Sequence, residues 1–132
     1  MAVRIVRLGE ARHRDEGPRL GTVRRPPRGV AKSQHAAQNW YDTWLPDLAP
    51  SAPLVAEALH AGDDDAAWRR FERRYRAEMK QPAASRLLDL LALLSRHTNF
   101  SVGCYCEDER RCHRSILREI LRERGANIYR DL

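Results

Sequence analysis

Three cysteines, a histidine and an arginine fall close together near the carboxyl end of the chain. Cys104, Cys106 and Cys112 are the only cysteines in the sequence, and His113 and Arg114 directly follow the last of them. Thiolates and imidazoles act as nucleophiles, redox groups and metal ligands, whereas arginine binds anions. The chemistry that these residue types allow makes this segment the first candidate for a functional site.

Two elements must position these groups: a strand before the turn "EDERR" and a helix after it. Apolar residues alternate over 99–106, which indicates a strand, and recur at helical spacing over 112–124. In α/β folds, ligand sites lie beyond the carboxyl ends of strands. Because a helix start favours an anion, the sequence also predicts that the thiolate of Cys112 is favoured and that Cys112 reacts faster than Cys104.

The cysteines allow three kinds of thiol chemistry, and the sequence leaves all three open. One is a zinc site with Cys104, Cys106, Cys112 and His113 as ligands. Another is a redox pair, in which Cys104 or Cys106 meets Cys112 across the turn. The third is nucleophilic transfer, because Arg110 follows Cys104 at the spacing of phosphatase-like and sulfurtransferase-like loops. In an enzyme, Cys104 or Cys112 would be the nucleophile and His113 the general acid or base.

Anion recognition is the interpretation that the sequence favours most. Guanidinium groups and helix N–H groups bind phosphate, and "RRPPRGV" supplies further arginines early in the chain. Adjacent parallel strands bring their carboxyl ends to one sheet edge, so both segments are expected to line a single cavity. The residues predicted around it are Arg24, Arg28, Cys104, Cys112, His113 and Arg114. The predicted ligand is a phosphate-containing small molecule or nucleic acid, and no cofactor is expected unless zinc is bound.

Length and charge limit the classes of protein that fit. The chain has 132 residues, which suits one domain over residues 1–132. Lysine and arginine number 24 against 18 acids, so the formal net charge is +6 and favours anionic partners. No apolar run reaches the roughly 18 residues of a membrane span, and the first residues lack a signal-peptide pattern. We therefore expect a cytoplasmic protein with no membrane partner and with reduced cysteines.

A predicted helix over 64–79 carries both an apolar stripe and a row of arginines. Trp68, Phe71, Tyr75 and Met79 recur at three and four residues and indicate a face packed on the core. The row consists of Arg69, Arg70, Arg73, Arg74 and Arg76. Acids lie among these arginines, so a solvated face is expected, with a nucleic-acid-binding face as the alternative.

The other segments predict the remaining elements of an α/β fold. Residues 3–8 alternate like a half-buried strand, and 20–23 opens a short second strand. Leucines lie nearly all round a helix predicted over 82–97, which indicates burial on more than one side. Trp40 and Trp44, in an irregular segment, are expected in the core because aromatic residues dominate the burial of small cores, with a stacking platform for bases as the alternative.

Several motifs in the expected order resemble a known family, over most of the chain from about Leu20 to Leu121. "GCYCEDERRCHRSILREIL" (103–121) is similar to the C-terminal signature of the domain of unknown function 488 family of bacteria and archaea, and "RRPPRGV" (24–30) resembles its Arg-x-x-Pro-Arg-Gly segment. The resemblance implies a small three-layer α/β sandwich with a short, mainly parallel sheet between helices. It implies no established activity. Val23 and Cys106 depart from the family pattern, in which aspartate and glutamate are common.

Overall fold

The computed structural model describes residues 1–130, which form four parallel strands and four α-helices. The strands are β1 (Val3–Arg7), β2 (Arg19–Gly21), β3 (Thr43–Trp44) and β4 (Phe100–Cys104). The helices are α1 (Ala52–Ala61), α2 (Asp65–Met79), α3 (Pro82–Leu94) and α4 (His113–Glu123). Short 3-10 turns cover Lys32–Gln34, Pro46–Leu48 and Glu109–Arg111. The predicted α/β class with a parallel sheet is confirmed.

The sheet has the order β1-β4-β2-β3, so the cysteine-bearing strand β4 is central. Arg7 at the end of β1 pairs with Cys104, and Gly21 at the end of β2 pairs with Gly103. The backbone N–H of Thr22 continues the ladder to the Gly103 carbonyl at 3.0 Å. Three strands therefore end side by side, and the chain that follows β2 leaves the sheet next to the end of β4.

The helices bury their apolar residues against one face of the sheet. Phe71, Tyr75 and Met79 on α2 form the predicted stripe and pack in one core with Ile5 of β1 and Val102 of β4. The α4 stripe joins the same core, as its helical spacing predicts; it consists of Ile116, Leu117, Ile120 and Leu121. Packing of amphipathic faces against the sheet accounts for the helices better than their intrinsic propensity does.

Loops cover the opposite face of the sheet and form its third layer. Arg19 is buried there and donates to the Glu16 carboxylate at 2.7 and 3.0 Å, and Ser101 donates to the same carboxylate at 2.6 Å. Arg4, at 5% exposure, donates to Asp15 at 3.0 Å. Strand β1 is therefore covered on both faces, which corrects the expectation of a half-buried strand: its inward arginine is accommodated by an acid on the covering loop.

Two predictions about which apolar side chains are buried are wrong. Trp44 is 41% exposed because β3 is a two-residue edge strand; its indole N–H donates to the Val23 carbonyl at 2.7 Å. Leu90 and Leu93 of α3 are also exposed, at 50% and 55%, so α3 buries one side only. Within residues 1–130, no helix is long and apolar enough to cross a membrane.

Candidate functional site

A cavity of about 910 Å³ opens at the edge where β1, β4 and β2 end. Four of the six residues predicted around a shared cavity line it: Arg24, Arg28, Cys104 and His113. The other two, Cys112 and Arg114, do not belong to its lining; they are buried behind it, at 2% and 4% exposure. Two segments about 80 residues apart in sequence thus meet at one edge of the sheet.

The segment 24–29, here called the arginine loop, follows β2 and forms one wall of the cavity. Its Pro27 is buried, and Gly29 turns the chain with φ +75°, a conformation that side chains rarely adopt. The Tyr105 hydroxyl donates to the Arg25 carbonyl at 2.9 Å and ties the loop to the residue after β4. This contact holds the arginine loop beside the cysteine segment.

The arginines of the cavity differ in how they are bound. Arg24 donates to the carbonyls that precede α1, at 3.0–3.1 Å, and so also has a structural role. Arg7 lies 3.8 Å from Glu10 and 3.6 Å from Glu107. Arg25 and Arg28 are exposed, and neither forms an ion pair with any residue in the described part of the chain. These two guanidinium groups give the cavity an excess of positive charge.

Aromatic and apolar side chains form another part of the cavity wall. The rings of Trp40 and Tyr105 meet edge to face with centroids 5.8 Å apart. Val55 and Leu59 of α1 extend the apolar surface, and Leu59 is 79% exposed. The cavity therefore offers both cations and a surface on which a flat apolar group can pack.

The three cysteines converge at the floor of the cavity, and we call Cys104, Cys106 and Cys112 the cysteine cluster. Their sulfur atoms all lie within 4.8 Å of one another. Cys104 is the last residue of β4, Cys112 is the N-cap of α4, and Cys106 lies on the turn between them. Cys104 and Cys112 are each 2% exposed, whereas Cys106 is exposed. The turn folds back so that the three thiols lie next to one another.

The thiols differ in acidity, and the difference corrects the expectation for Cys112. Hydrogen bonds from the Cys104 and Cys112 thiols lower the pKa of Cys106 far below its ordinary value. The hydrogen bond to Cys106 raises the pKa of Cys104. For Cys112, a bond with Cys104 lowers the pKa, but Cys106 and burial together raise it to about 11. Burial and the neighbouring Cys106 sulfur together outweigh the effect of the helix terminus on the pKa of Cys112.

His113 connects the cysteine cluster to the end of β2. Burial lowers its pKa to about 4, although the Thr22 carbonyl opposes this shift. The neutral ring donates from Nε2 to that carbonyl at 2.7 Å, which leaves Nδ1 unprotonated and 3.7 Å from the Cys112 sulfur. Tyr75 packs edge to face against the ring at 5.5 Å. His113 is thus held in one tautomer, with an acceptor facing the cysteine cluster.

Arg114 is a buried cation beside the cysteine cluster. One Nη donates to the Cys106 carbonyl, while the buried Nε has no hydrogen-bond partner within residues 1–130. Burial alone would lower its pKa, but the Cys104 and Cys112 sulfurs raise it. The sequence assigned Arg114 to direct anion binding; the structure instead places it behind the cavity, where its charge faces the thiols.

Sequence reasoning missed two features of the site. Arg7 and Arg25 line the cavity, although only Arg24 and Arg28 were singled out. Cys106 was considered only as a ligand or redox partner, and its CxC spacing with Cys104 was the available signal. The residues "YCEDE" between Cys104 and Arg110 bring bulk and negative charge, which already argues against a phosphatase-like loop. Arg110 pairs with Asp108 at 3.2 Å and is absent from the cavity lining, so the spacing does not produce a loop that cradles an anion.

Comparison with known proteins agrees with the resemblance seen in the sequence and covers a somewhat longer part of the chain. The family model described as "Active DUF488-N3 subclade" matches residues 3–125. Searches of curated proteins and of solved structures found no match. The matched region contains the arginine loop, the cysteine cluster and all four helices. The chain therefore belongs to the domain of unknown function 488 family.

Proposed function

We propose that the cavity binds a nucleotide through its phosphate group. The observation that carries this proposal is the pair Arg25 and Arg28, two exposed guanidinium groups on the cavity wall without an acidic partner among the described residues. Guanidinium forks match phosphate oxygens in geometry and charge. Glu10 is the single acid among the lining residues, so a phosphate would meet a net positive environment.

The apolar wall supports a nucleotide in preference to inorganic phosphate. Trp40, Tyr105 and Val55 border the same cavity as the arginines, within a volume of about 910 Å³. A ligand that fills this space needs a flat apolar part beside its charged part, and a nucleobase attached to a phosphate has both.

The cavity is also a better anion site than the arginine face of α2. On that helix Arg74 lies 2.5 Å from Glu57, and Arg76 lies 3.0 Å from Glu123. Acids that already neutralise these arginines compete with a phosphate backbone. This supports the expectation of a solvated helix face and makes a nucleic-acid-binding module the weaker candidate.

Calorimetric titration of the full chain with ADP tests the proposal. Arg28→Ala removes a side chain that makes no hydrogen bond within residues 1–130, so the fold is expected to stay intact. Loss of a charge-assisted hydrogen bond, about 1.5–3 kcal/mol, weakens binding by about tenfold or more. The matched control is Arg73→Ala, which removes an exposed arginine of α2 outside the cavity and should leave ADP affinity unchanged.

Two results would contradict nucleotide binding in the cavity. One is the absence of binding heat with wild-type protein at low ionic strength, where electrostatic attraction is strongest. The other is equal weakening by Arg28→Ala and Arg73→Ala, which would mean that net charge, and not the cavity, holds ADP. A single-stranded oligonucleotide that binds more tightly than ADP and is sensitive to Arg73→Ala would favour the α2 face instead.

A further inference from the structure

We infer that the cysteine cluster is a zinc site, with Cys104, Cys106 and Cys112 as ligands and a fourth coordination position open to the cavity. This inference goes beyond nucleotide binding and does not depend on it. Its starting observation is that three sulfur atoms from a strand end, a turn and a helix start all lie within 4.8 Å of one another. Thiolates are the ligands that zinc accepts most readily.

The spacing of the sulfur atoms fits one tetrahedral ion. Zinc binds thiolate sulfur at about 2.3 Å, so two sulfurs on one tetrahedral zinc lie roughly 3.8 Å apart. Contraction from 4.8 Å or less to that separation requires side-chain adjustment of about an ångström or less. The buried Cys104 and Cys112 are fixed by β4 and α4, and the exposed Cys106 on the turn is the ligand that has room to adjust.

Arg114 supplies the charge that such a site requires. It is 4% exposed and forms no ion pair within the described residues, since Glu109 is engaged by Arg118 at 2.8 Å. Its Nε is buried without an acceptor. A buried cation needs an anion beside it, and the cysteine cluster is the neighbouring group that can supply one. Zinc with three thiolates has a net charge of −1, so the ion, the cysteine cluster and Arg114 together are neutral, and a thiolate is an acceptor for the guanidinium.

The open position faces the cavity and not the core. Cys104 and Cys106 belong to the cavity lining, while Cys112 lies behind it. The Nδ1 of His113 lies 3.7 Å from the Cys112 sulfur, but no donor nitrogen of His113 lies within 4.8 Å of all three sulfur atoms, so His113 is not counted as a ligand. Three protein ligands and an exchangeable fourth are the pattern of zinc sites that meet exogenous ligands.

Cobalt titration of the full chain, reduced and free of oxygen, tests the site. Cobalt takes the same tetrahedral thiolate ligands as zinc and gives intense thiolate charge-transfer and visible bands. The expected result is saturation at one cobalt per chain and bleaching of the bands by one equivalent of zinc. Saturation at one cobalt per two chains, or a folded and fully reduced chain without these bands, would overturn the inference.

Two variants separate this site from the nucleotide proposal. Cys106→Ser changes an exposed residue, so the fold should survive, and it should weaken cobalt binding by more than about a hundredfold, the upper end of the loss caused by changing outer-shell partners. Arg28→Ala should leave cobalt binding unchanged, even if it abolishes ADP binding. Unchanged cobalt affinity and spectra in Cys106→Ser, with its melting temperature retained, would overturn the three-cysteine site while leaving nucleotide binding untouched.

Discussion

Two buried arginines, Arg19 and Arg114, are surrounded very differently. Arg19 is 1% exposed and donates to both oxygens of Glu16 and to the carbonyls of Glu10 and Asn39. Arg114 is 4% exposed, has one carbonyl acceptor and leaves its Nε without a partner within the described chain. One cation is fully satisfied by its own fold, whereas the other is not.

This difference distinguishes an arginine with a structural role from one that points to a functional site. Buried polar groups are almost always hydrogen-bonded, and within the described residues the exceptions among buried side-chain atoms are Tyr41 Oη, Glu57 Oε1 and Arg114 Nε. Arg114 is the one of these that lies beside the cysteine cluster, so its exception points to a charge or ligand at that site. The Arg19 network joins the covering loop to Ser101 of β4 and needs nothing further. Arg114 faces the cysteine cluster at the floor of the cavity, so the charge that satisfies it must come from thiolates and what they bind.

Glu16→Gln is the substitution with the largest expected effect on stability, because it leaves the Arg19 charge in the core without its carboxylate partner. Breaking a buried ion pair from one side costs about 3–5 kcal/mol of folding free energy. Arg114→Met removes a cation that has no carboxylate partner, and it should change stability by less than about 1.5 kcal/mol in metal-free protein. Urea unfolding of both variants measures this, and equal losses would remove the distinction between the two arginines.

Lowering the pH should weaken the Glu16–Arg19 network in the wild-type chain. Burial raises the pKa of Glu16, but hydrogen bonds from Arg19 and Ser101 outweigh it and lower the pKa from 4.5 to about 2. A depressed carboxyl pKa contributes stability above its unfolded value, so this contribution, about 3 kcal/mol, is present above pH 4.5 and is lost as the pH falls towards 2. Urea midpoints from pH 6 to about 2 should fall less steeply for Glu16→Gln than for wild type; parallel curves would contradict the assignment.

Brief alkylation of the metal-free chain should single out one cysteine. Cys106 is exposed, while Cys104 and Cys112 are each 2% exposed, so iodoacetamide should modify Cys106 at least about tenfold faster than either. Mass spectrometry of the labelled peptides measures the rates. Labelling of Cys112 faster than Cys106 would contradict this prediction and would show that the buried thiol opens to solvent readily. The same experiment compares Cys112 with Cys104, which the helix start predicts to be the slower of those two.

The smallest effect is expected on the outer face of α4. Arg122 lies 2.5 Å from Glu119, and both side chains are about half exposed, at 56% and 47%. Exposed ion pairs contribute about 0–1 kcal/mol, so Arg122→Ala should change the unfolding free energy by about 0.5 kcal/mol or less. A loss of unfolding free energy as large as that of Glu16→Gln would mean that burial does not determine how much an ion-paired arginine of this chain contributes to stability.

Periodic patterns in the sequence predicted the elements that carry the site. The stripe of Phe71, Tyr75 and Met79 gave α2, because a helix packed on a sheet repeats its apolar residues at that spacing. Parallel strand ends predicted that Arg28 and His113 share an edge, and they line one cavity. Trp44 was placed wrongly, since a two-residue edge strand has no signature in local sequence.

The acidity of the cysteines and the burial of Arg114 could not be predicted from the sequence. Helix-terminus electrostatics predicted Cys112 as the thiolate, but three thiols within 4.8 Å interact more strongly than a helix end acts on one of them. The burial of Arg114 depends on how the turn after Cys106 folds back over α4. Such contacts arise from tertiary packing, which spacing along the chain does not encode.

Titration of the wild-type chain with ADP and with adenosine, side by side at low ionic strength, tests the central claim most directly. The two ligands share the base and sugar and differ in the phosphates that Arg25 and Arg28 are proposed to hold. We expect ADP to bind at least about tenfold more tightly than adenosine, and this ratio to fall towards one in Arg28→Ala. Equal affinities for ADP and adenosine in the wild-type chain would contradict a cavity built for phosphate.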